Sequence, residues 1–509
     1  MRRPTLVLFA VFVLLFVAVP SLIDLAADWL WFGEVGYRTV FLRSLSAQGT
    51  LGTAVMAIVF AWLAVNFRSA LRSPHRRAFS VMTQSGPVTV SMEARMLRLL
   101  AHAAAALVAA LMGLFASSRW ETWLFFRHAT SFGVKDPILG RDVGFYVFRL
   151  PFLELLQGLA LAAAFAALIG TGAAYAISGA LGLDRGRGPF AARGVKRHLA
   201  LLGAALLLVL AWGAWLSVPS LLTSASGILH GASYVDVHAR LPALYALAGA
   251  AVLGALLALQ QAAAGQVKHV LTAGGLYMAV LFGGEVYAAI LQRFVVGPNE
   301  QVKETPYIIH NIAATRAAFA LQDVAEREIS GDAVLTLDDV QRNAATLANV
   351  PLWDHQPLLD TFGQMQEIRT YYDFVSVHND RYMIDGEYRQ VMLSARELNS
   401  DSLPNRSWIN EHLTFTHGYG LTLGPVNQVT PEGLPVLFIK NLPPESAVDL
   451  RVTEPSIYFG QLSNDHVFVR TATREFHYPR GDDNVFAAYA GEGGVPVGGF
   501  FRKLLFSIR

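Results

Sequence analysis

The sequence predicts a membrane-embedded all-α bundle of seven transmembrane helices, followed by an α+β domain with an antiparallel sheet. Three observations carry this. Seven long apolar runs lie in the first 296 residues of a 509-residue chain. Charge then changes sign: residues 1–296 hold 23 Lys and Arg against 11 Asp and Glu, whereas residues 297–509 hold 17 against 27. The apolar residues after 296 recur at short helical and alternating spacings instead of in unbroken runs. The charged fraction is only 15 %, well below the roughly 25 % of soluble domains. No cysteine is present, which excludes disulfides, thiolate metal sites, iron–sulfur clusters and cysteine nucleophiles.

Crossing about 30 Å of hydrocarbon takes roughly 20 mostly apolar residues. The runs that qualify are Thr5–Ile23, Thr50–Phe67, Leu99–Ser117, Phe152–Ile177, His198–Val218, Leu241–Ala263 and Val270–Gln292. The first follows Arg2-Arg3 but is longer than a signal-peptide core and has no A-x-A-like site behind it, so it reads as an uncleaved helix. Ala- and Gly-rich stretches such as Ala162–Ala174 and Ala246–Ala255 suit close helix packing in lipid. Placing the N-terminus in the cytoplasm puts 14 Lys and Arg on the inner segments and 8 on the outer ones. The clusters at Arg72/Arg76/Arg77 and Arg185/Arg187/Arg193/Lys196/Arg197 decide that orientation. Seven spans then leave residues 297–509 outside the cell membrane. The inner basic residues face anionic lipid heads, and an acidic outer domain argues against nucleic acid as a partner.

Two outer loops read as ordered. Asp28–Tyr37 is rich in Trp and suits the membrane interface. The segment from Trp120 to Pro151 mixes both charge signs with aromatics, and Asp136-Pro137 and Gly140 supply turn chemistry. Glu285 lies in the middle of the seventh run, where a carboxyl is costly. It is expected to face other helices, hydrogen-bonded to Tyr277, Tyr287 or a neighbouring span. A proton- or cation-carrying role is the alternative, with His102 as a conceivable partner. Glu154 lies at the edge of the fourth run, within reach of the interface.

After residue 296, Pro306–Leu321 has helical spacing with Pro306 placed for a first turn. Thr336-Leu337-Asp338-Asp339 reads as a helix start, and Gln356–Ile368 as another helix. Tyr371–Val377 and Arg381–Leu393 read as strands, the latter broken by an Asp385-Gly386 hairpin turn. Further strands are expected at Pro435–Ile439, Ile457–Gly460 and His466–Thr471.

Chemistry-bearing motifs are sparse. H-E-x-x-H, G-x-S-x-G and the phosphate-binding G-x-x-x-x-G-K-[ST] are absent from the sequence. His412 and His417 are five apart, a poor spacing for one metal, though His417 is kept as a site candidate. Gly481-Asp482-Asp483-Asn484 resembles the start of a calcium loop but continues into Phe486 and reads as an acidic turn. The glycines at 491–494 and 498–499 form a flexible loop without a following Lys-Ser/Thr. Asp380, Asp385, Asp354 and Asp360 could supply a carboxylate pair for glycoside hydrolysis. No cofactor or metal is expected.

Longer linear runs carry a resemblance. Pro306–Arg316, Leu352-Trp353-Asp354, Gln366–Phe374, Asp380-Arg381-Tyr382, Leu393–Asn399, Thr416–Gly420 and Pro455–Gly460 resemble the bacterial multi-pass membrane proteins of uncharacterised protein family 0182. The loop around Asp136-Pro137 and Phe145–Phe148 fits it as well. The resemblance implies about seven N-terminal spans and a large extracytoplasmic domain, but no activity and no site residue. It also implies several hundred further residues beyond Arg502–Phe506, so this chain is expected to be a fragment. The functional expectation is a non-enzymatic envelope protein that displays an interaction domain to other envelope proteins or polymers. A hydrolase of an envelope polymer or lipid, and a transporter or transporter subunit using Glu285, are the alternatives.

Overall fold

The computed structural model describes residues 3–72, 79–83, 86–90, 94–184, 188–226, 229–264, 268–332, 334–462 and 465–508, with side chains omitted for 3–18 and beside the gaps. The chain divides into two compact units, Met1–Ala325 with Gly494–Arg509, and Glu326–Gly493. The second unit begins at Glu326.

The first unit is built on helices α1 (Arg3–Glu34), α2 (Arg38–Ala70), α3 (Ala94–Ser117), α4 (Trp120–Arg127), α5 (Leu150–Ile177), α6 (Arg193–Ser220), α7 (Leu241–Ala264), α8 (Lys268–Leu291) and α9 (Glu300–Ala318). Six helical stretches among the described residues are long and apolar enough to cross a membrane. They correspond to the second through seventh expected spans. The first expected span lies within α1, where most side chains fall outside the described residues. Short hairpins interrupt the connections: β1–β2 (Phe79–Thr83, Gly86–Val90), β3–β4 (Leu181–Asp184, Gly188–Ala191) and β5–β6 (Ala225–Ser226, Leu229–His230).

Sequence spacing explains the packing. Leu51, Val55, Val59, Leu63 and Phe67 recur every four residues along α2 and form one buried stripe against Ala105 and Ala109 of α3 and Phe152, Leu159 and Ala167 of α5. The small residues set how near the helices come. A Cβ on Gly113 would stand 2.8 Å from the Gly52 carbonyl oxygen, so α2 and α3 touch backbone to backbone there. Gly170 leaves room for the Phe67 ring in the same way.

The last expected span does not stop at residue 292. A 48-residue helical stretch runs from Leu271 to Ala318, about 70 Å at 1.5 Å per residue. Five π-helical residues (Gln292–Val296) and a short 3₁₀ turn (Gly297–Asn299) carry the chain from α8 into the polar α9 without a break. Pro306 consequently sits inside α9, not in its first turn. Proline there removes one intrahelical hydrogen bond, which the continuous helix absorbs.

The second unit is α+β. Helices α10 (Leu337–Arg342), α11 (Ala344–Leu347) and α12 (His355–Gln366) precede a six-stranded antiparallel sheet. Its strands are β7 (Tyr372–Phe374), β8 (His378–Ile384), β9 (Glu387–Leu398), β11 (Leu421–Pro425), β12 (Ile439–Lys440) and β13 (Glu445–Ser446). The order is β13-β12-β11-β9-β7, with β8 also paired to β9. Thr336 caps α10 in a reciprocal capping box with Asp339. Asp385 and Gly386 join β8 to β9 with φ of +53° and +80°, the left-handed pair that a tight two-residue hairpin requires. Leu358 and Phe362 of α12 pack on Phe374, Val377 and Met392.

Two more pairs complete this unit: β10 (Gly418–Tyr419) with β14 (Ser456–Ile457), and β15 (Glu475–Arg480) with β16 (Asp483–Ala487). Gly481 turns the second pair at φ +63°, so the Gly481–Asn484 run is a hairpin turn. Three expected strands are corrected. Only Ile439 of Pro435–Ile439 joins the sheet, and only Ile457 of Ile457–Gly460 is in a strand. His466–Thr471 is irregular because its backbone bonds a π-helical turn, Asn410–Thr414: the Phe468 N–H donates to the His412 carbonyl at 2.8 Å. In the first unit, α13 (Phe500–Ile508) forms an apolar helix near the end of the chain.

Candidate functional site

A continuous buried polar chain lies in the second unit. It is built on the residues around β10 and on β15. Glu475, 1 % exposed, receives four hydrogen bonds. The backbone N–H groups of Arg470 and Tyr489 donate to Oε1 at 3.2 and 3.1 Å. The Thr416 hydroxyl and the Tyr458 hydroxyl donate to Oε2 at 3.1 and 3.0 Å. Thr416 has one proton, and Glu475 takes it. The 2.8 Å contact between Thr416 Oγ1 and His417 Nδ1 must then be donated by the ring. That fixes the lone pair of His417 on Nε2, which accepts from His477 Nδ1 at 3.0 Å. The chain thus runs from a carboxylate through a hydroxyl and two imidazoles, and leaves His477 Nε2 as an acceptor.

Local sequence explains each placement. The β15–β16 register slips between Phe476 and Tyr478, so His477 is the extra residue of a bulge. A bulge re-aims a side chain that regular pleating would send elsewhere. Gly418 lets β10 lie against β9: a Cβ there would stand 2.8 Å from Glu397 Cα. Aromatic rings close the site. Tyr458 stacks on His417 at 4.6 Å, and Tyr419 meets His477 edge-on at 4.4 Å. Burial, then the neighbouring His477, pushes the His417 ring down to about 4. Burial lowers His477 as well. Both rings are therefore neutral near pH 7, as the donor–acceptor order requires. Among the described residues no group of three or more His, Asp or Glu side chains is placed to hold a metal ion. The arrangement can accept a proton at His477 and relay polarisation from Glu475.

Of the sequence candidates, only His417 belongs to this chain. His412 lies apart from it: its Nδ1 bonds the His466 carbonyl at 2.6 Å, and the two rings stack at 4.5 Å. Asp380 accepts the Tyr382 hydroxyl at 2.8 Å on the exposed face of β8. That bond, then the Arg381 N–H, holds its carboxyl below the usual range. Asp385 is consumed by the hairpin turn. Four strand residues lie between the two, which places them about 15 Å apart, beyond the roughly 5–10 Å of a glycosidase pair. Asp354 caps α12, its carboxylate accepting the His355 N–H, and Asp360 accepts the Gln356 amide within the same helix.

Glu285 is corrected. It lies on the exposed side of α8, not among other helices. The packed side of α8 carries Ala273, Gly284 and Ala288, with Gly284 so near Ala243 that a Cβ would stand 2.8 Å from it. One residue on, Glu285 is turned about 100° off that face. It has no hydrogen-bond partner among the described residues, neither Tyr277 nor Tyr287. His102 bonds the Arg98 carbonyl of its own helix at 2.7 Å. Glu154 accepts the Ser220 hydroxyl across to α6 at 2.5 Å.

The helical unit holds polar networks that its sequence did not reveal. Asp236, fully buried, pairs with Arg240 at 2.8 Å and accepts from Ser233. Glu304 of α9 accepts the Tyr234 N–H through both oxygens. His198 of α6 links Tyr175 of α5, at 2.9 Å, to Asn66 of α2, at 2.8 Å. The Trp120–Pro151 segment is ordered as its turn residues suggested. Asp136 accepts the N–H groups of Ile138, Leu139 and Arg141 and the Tyr146 hydroxyl. Burial alone would raise its carboxyl, but those bonds outweigh it and hold it below the usual range.

Comparison with known proteins gives one consistent result. The profile of an uncharacterised protein family, UPF0182, matches residues 5–509. A UPF0182 protein of Geobacter sp. (strain M21) is 41 % identical over 510 residues, covering 99 % of this chain and 57 % of its own length. One from Pelobacter propionicus is 40 % identical, covering 100 % and 57 %. One from Trichodesmium erythraeum is 38 % identical, covering 96 % and 53 %. The chain thus spans little more than half the length of the curated relatives it matches. No solved structure matches.

Proposed function

The chain belongs to the uncharacterised protein family UPF0182, and from that premise we propose a non-enzymatic, multi-pass protein of the bacterial cell membrane. Its N-terminus is cytoplasmic, and the acidic region from residue 297 is extracytoplasmic, where it displays an interaction domain to other envelope proteins or polymers. Six span-length apolar helices and the excess of Lys and Arg on the inner segments support the membrane placement. The observation that supports the non-enzymatic reading is that the four carboxylates weighed as a hydrolytic pair are engaged in local structure. Asp385 makes a turn, Asp354 a helix cap, and Asp380 and Asp360 bond neighbours on their own elements. The exposed position of Glu285, without a polar partner among the described residues, gives a transport path no support.

The test is genetic. Asp380→Asn with Asp385→Asn, introduced into the complete gene, should match the wild type in whatever envelope phenotype deletion produces. Loss of function with normal amounts of folded protein would favour the hydrolase alternative.

A further inference from the structure

We propose that a crevice between α3, α4 and α5 binds a membrane phospholipid with a primary ammonium headgroup. The crevice encloses about 540 Å³, within the roughly 300–1,000 Å³ of ligand sites. The proposal rests on the membrane reading above.

The polarity of the crevice carries the argument. Arg119 stands at its head, between the end of α3 and the start of α4, and Glu154 stands in the second turn of α5. From Arg119 the wall descends α3 through Phe115 and Leu111, one turn at a time. From Glu154 it descends α5 through Leu155 and Leu159. Both charges are therefore at the span ends and both apolar walls run along the spans. An amphiphile aligned with the helices has this shape.

The two charges select the headgroup. Arg119 has no carboxylate partner among the described residues, and its guanidinium lies 5.6 Å over the Phe115 ring. Glu154 is steadied by Ser220 on Oε1, and its Oε2 has no hydrogen-bond partner among the described residues. The two line one crevice without forming an ion pair. A phosphate diester meets the guanidinium fork, and an ammonium three bonds away meets the carboxylate. Phosphatidylethanolamine supplies both partners: its phosphate oxygens accept from Arg119, and its ammonium N–H groups donate to Glu154. Phosphatidylglycerol leaves Glu154 facing no cation, and the quaternary ammonium of phosphatidylcholine donates no hydrogen bond.

The experiment uses the full chain. Membranes are first washed with alkaline carbonate. Release of the chain would overturn the membrane reading, and with it the site. If the chain stays, it is reconstituted into vesicles holding equal parts of phosphatidylethanolamine, phosphatidylcholine and phosphatidylglycerol, extracted in mild detergent, and its retained lipid is measured by native mass spectrometry. Phosphatidylethanolamine should be enriched about tenfold, the worth of one charge-assisted hydrogen bond. Glu154→Gln should abolish its preference over phosphatidylglycerol, and Arg119→Gln should lower retention of all three. Gly158→Leu gives a second reading. Gly158 lines the crevice, and a Cβ there meets nothing within 4 Å, so a leucine at this position should fill the crevice and displace the lipid with both charges intact. Retained lipid that mirrors the supplied mixture, or a preference unchanged in Glu154→Gln and Gly158→Leu, overturns the proposal while leaving the membrane reading standing.

Discussion

Replacing His417 with glutamine tests the buried polar chain through its proton linkage. The ring is 2 % exposed, and burial, reinforced by His477, depresses it from 6.5 to about 4. A folded-state value below the unfolded one means that folding favours the neutral ring. The stability tied to it is fully present above pH 6.5 and is lost as pH falls, because the unfolded chain takes up a proton that the folded chain refuses until about pH 4. At about 1.36 kcal/mol per unit, the loss reaches about 2 kcal/mol at pH 5 and about 3 kcal/mol at pH 4. Glutamine does not titrate, so the difference between wild type and His417→Gln isolates this group from every other. The assay is urea unfolding of the full chain in detergent, read by hydrogen exchange in the strand Glu387–Leu398. The wild-type advantage should shrink by about 2 kcal/mol between pH 7.5 and pH 5. Parallel pH curves for the two proteins would refute a neutral, buried His417 and the donor order built on it.

Other outcomes follow from the same geometry. Glu475→Leu removes the acceptor of four donors, of which the Thr416 hydroxyl is buried and costs about 1–3 kcal/mol to strand, so the Glu326–Gly493 unit should lose part of its slow-exchanging amides, whereas Glu475→Gln should keep more of them. Gly386→Val places a β-branched residue at φ +80° and should cost about 1–3 kcal/mol; an unchanged urea midpoint would contradict the turn. Asp136→Ala removes the acceptor of three backbone N–H groups, and faster exchange at Ile138–Arg141 should report it. Glu285→Leu should leave folded yield in membranes equal or higher, since the carboxyl contacts no partner among the described residues; a collapse in yield would show that it is bonded after all.

What was legible in the sequence is what short-range chemistry writes. Asp385-Gly386 sets its hairpin with two residues, and Thr336 its cap with four. Six of the seven expected apolar runs read directly as span-length helices among the described residues, because twenty apolar residues leave few other states. The corrections come from neighbours that lie far along the chain. Pro306 looked like a helix start, yet α8 and its π-helical extension deliver an already formed helix to it. His466–Thr471 looked like a strand, but its backbone partner is a turn some fifty residues earlier. His417 was visible as a residue, while its role was not, since His477 and Glu475 are 60 and 58 positions away and reach it through a bulge. The Glu475-x-His477 alternation on a strand was the available signal. Glu285 was misplaced because helical periodicity is nearly absent from so uniform an apolar run, leaving only small residues to mark the packed face.

Sidedness is the claim on which the rest depends. An alkaline phosphatase reporter, active only after export, fused behind Ala325, seven residues beyond the long α8–α9 helix, measures it directly. The proposed topology, with the N-terminus inside and residues 297–509 outside, predicts high activity there and low activity for the same reporter placed after Ala264, in the α7–α8 connection. High activity after Ala264 with none after Ala325 would contradict it.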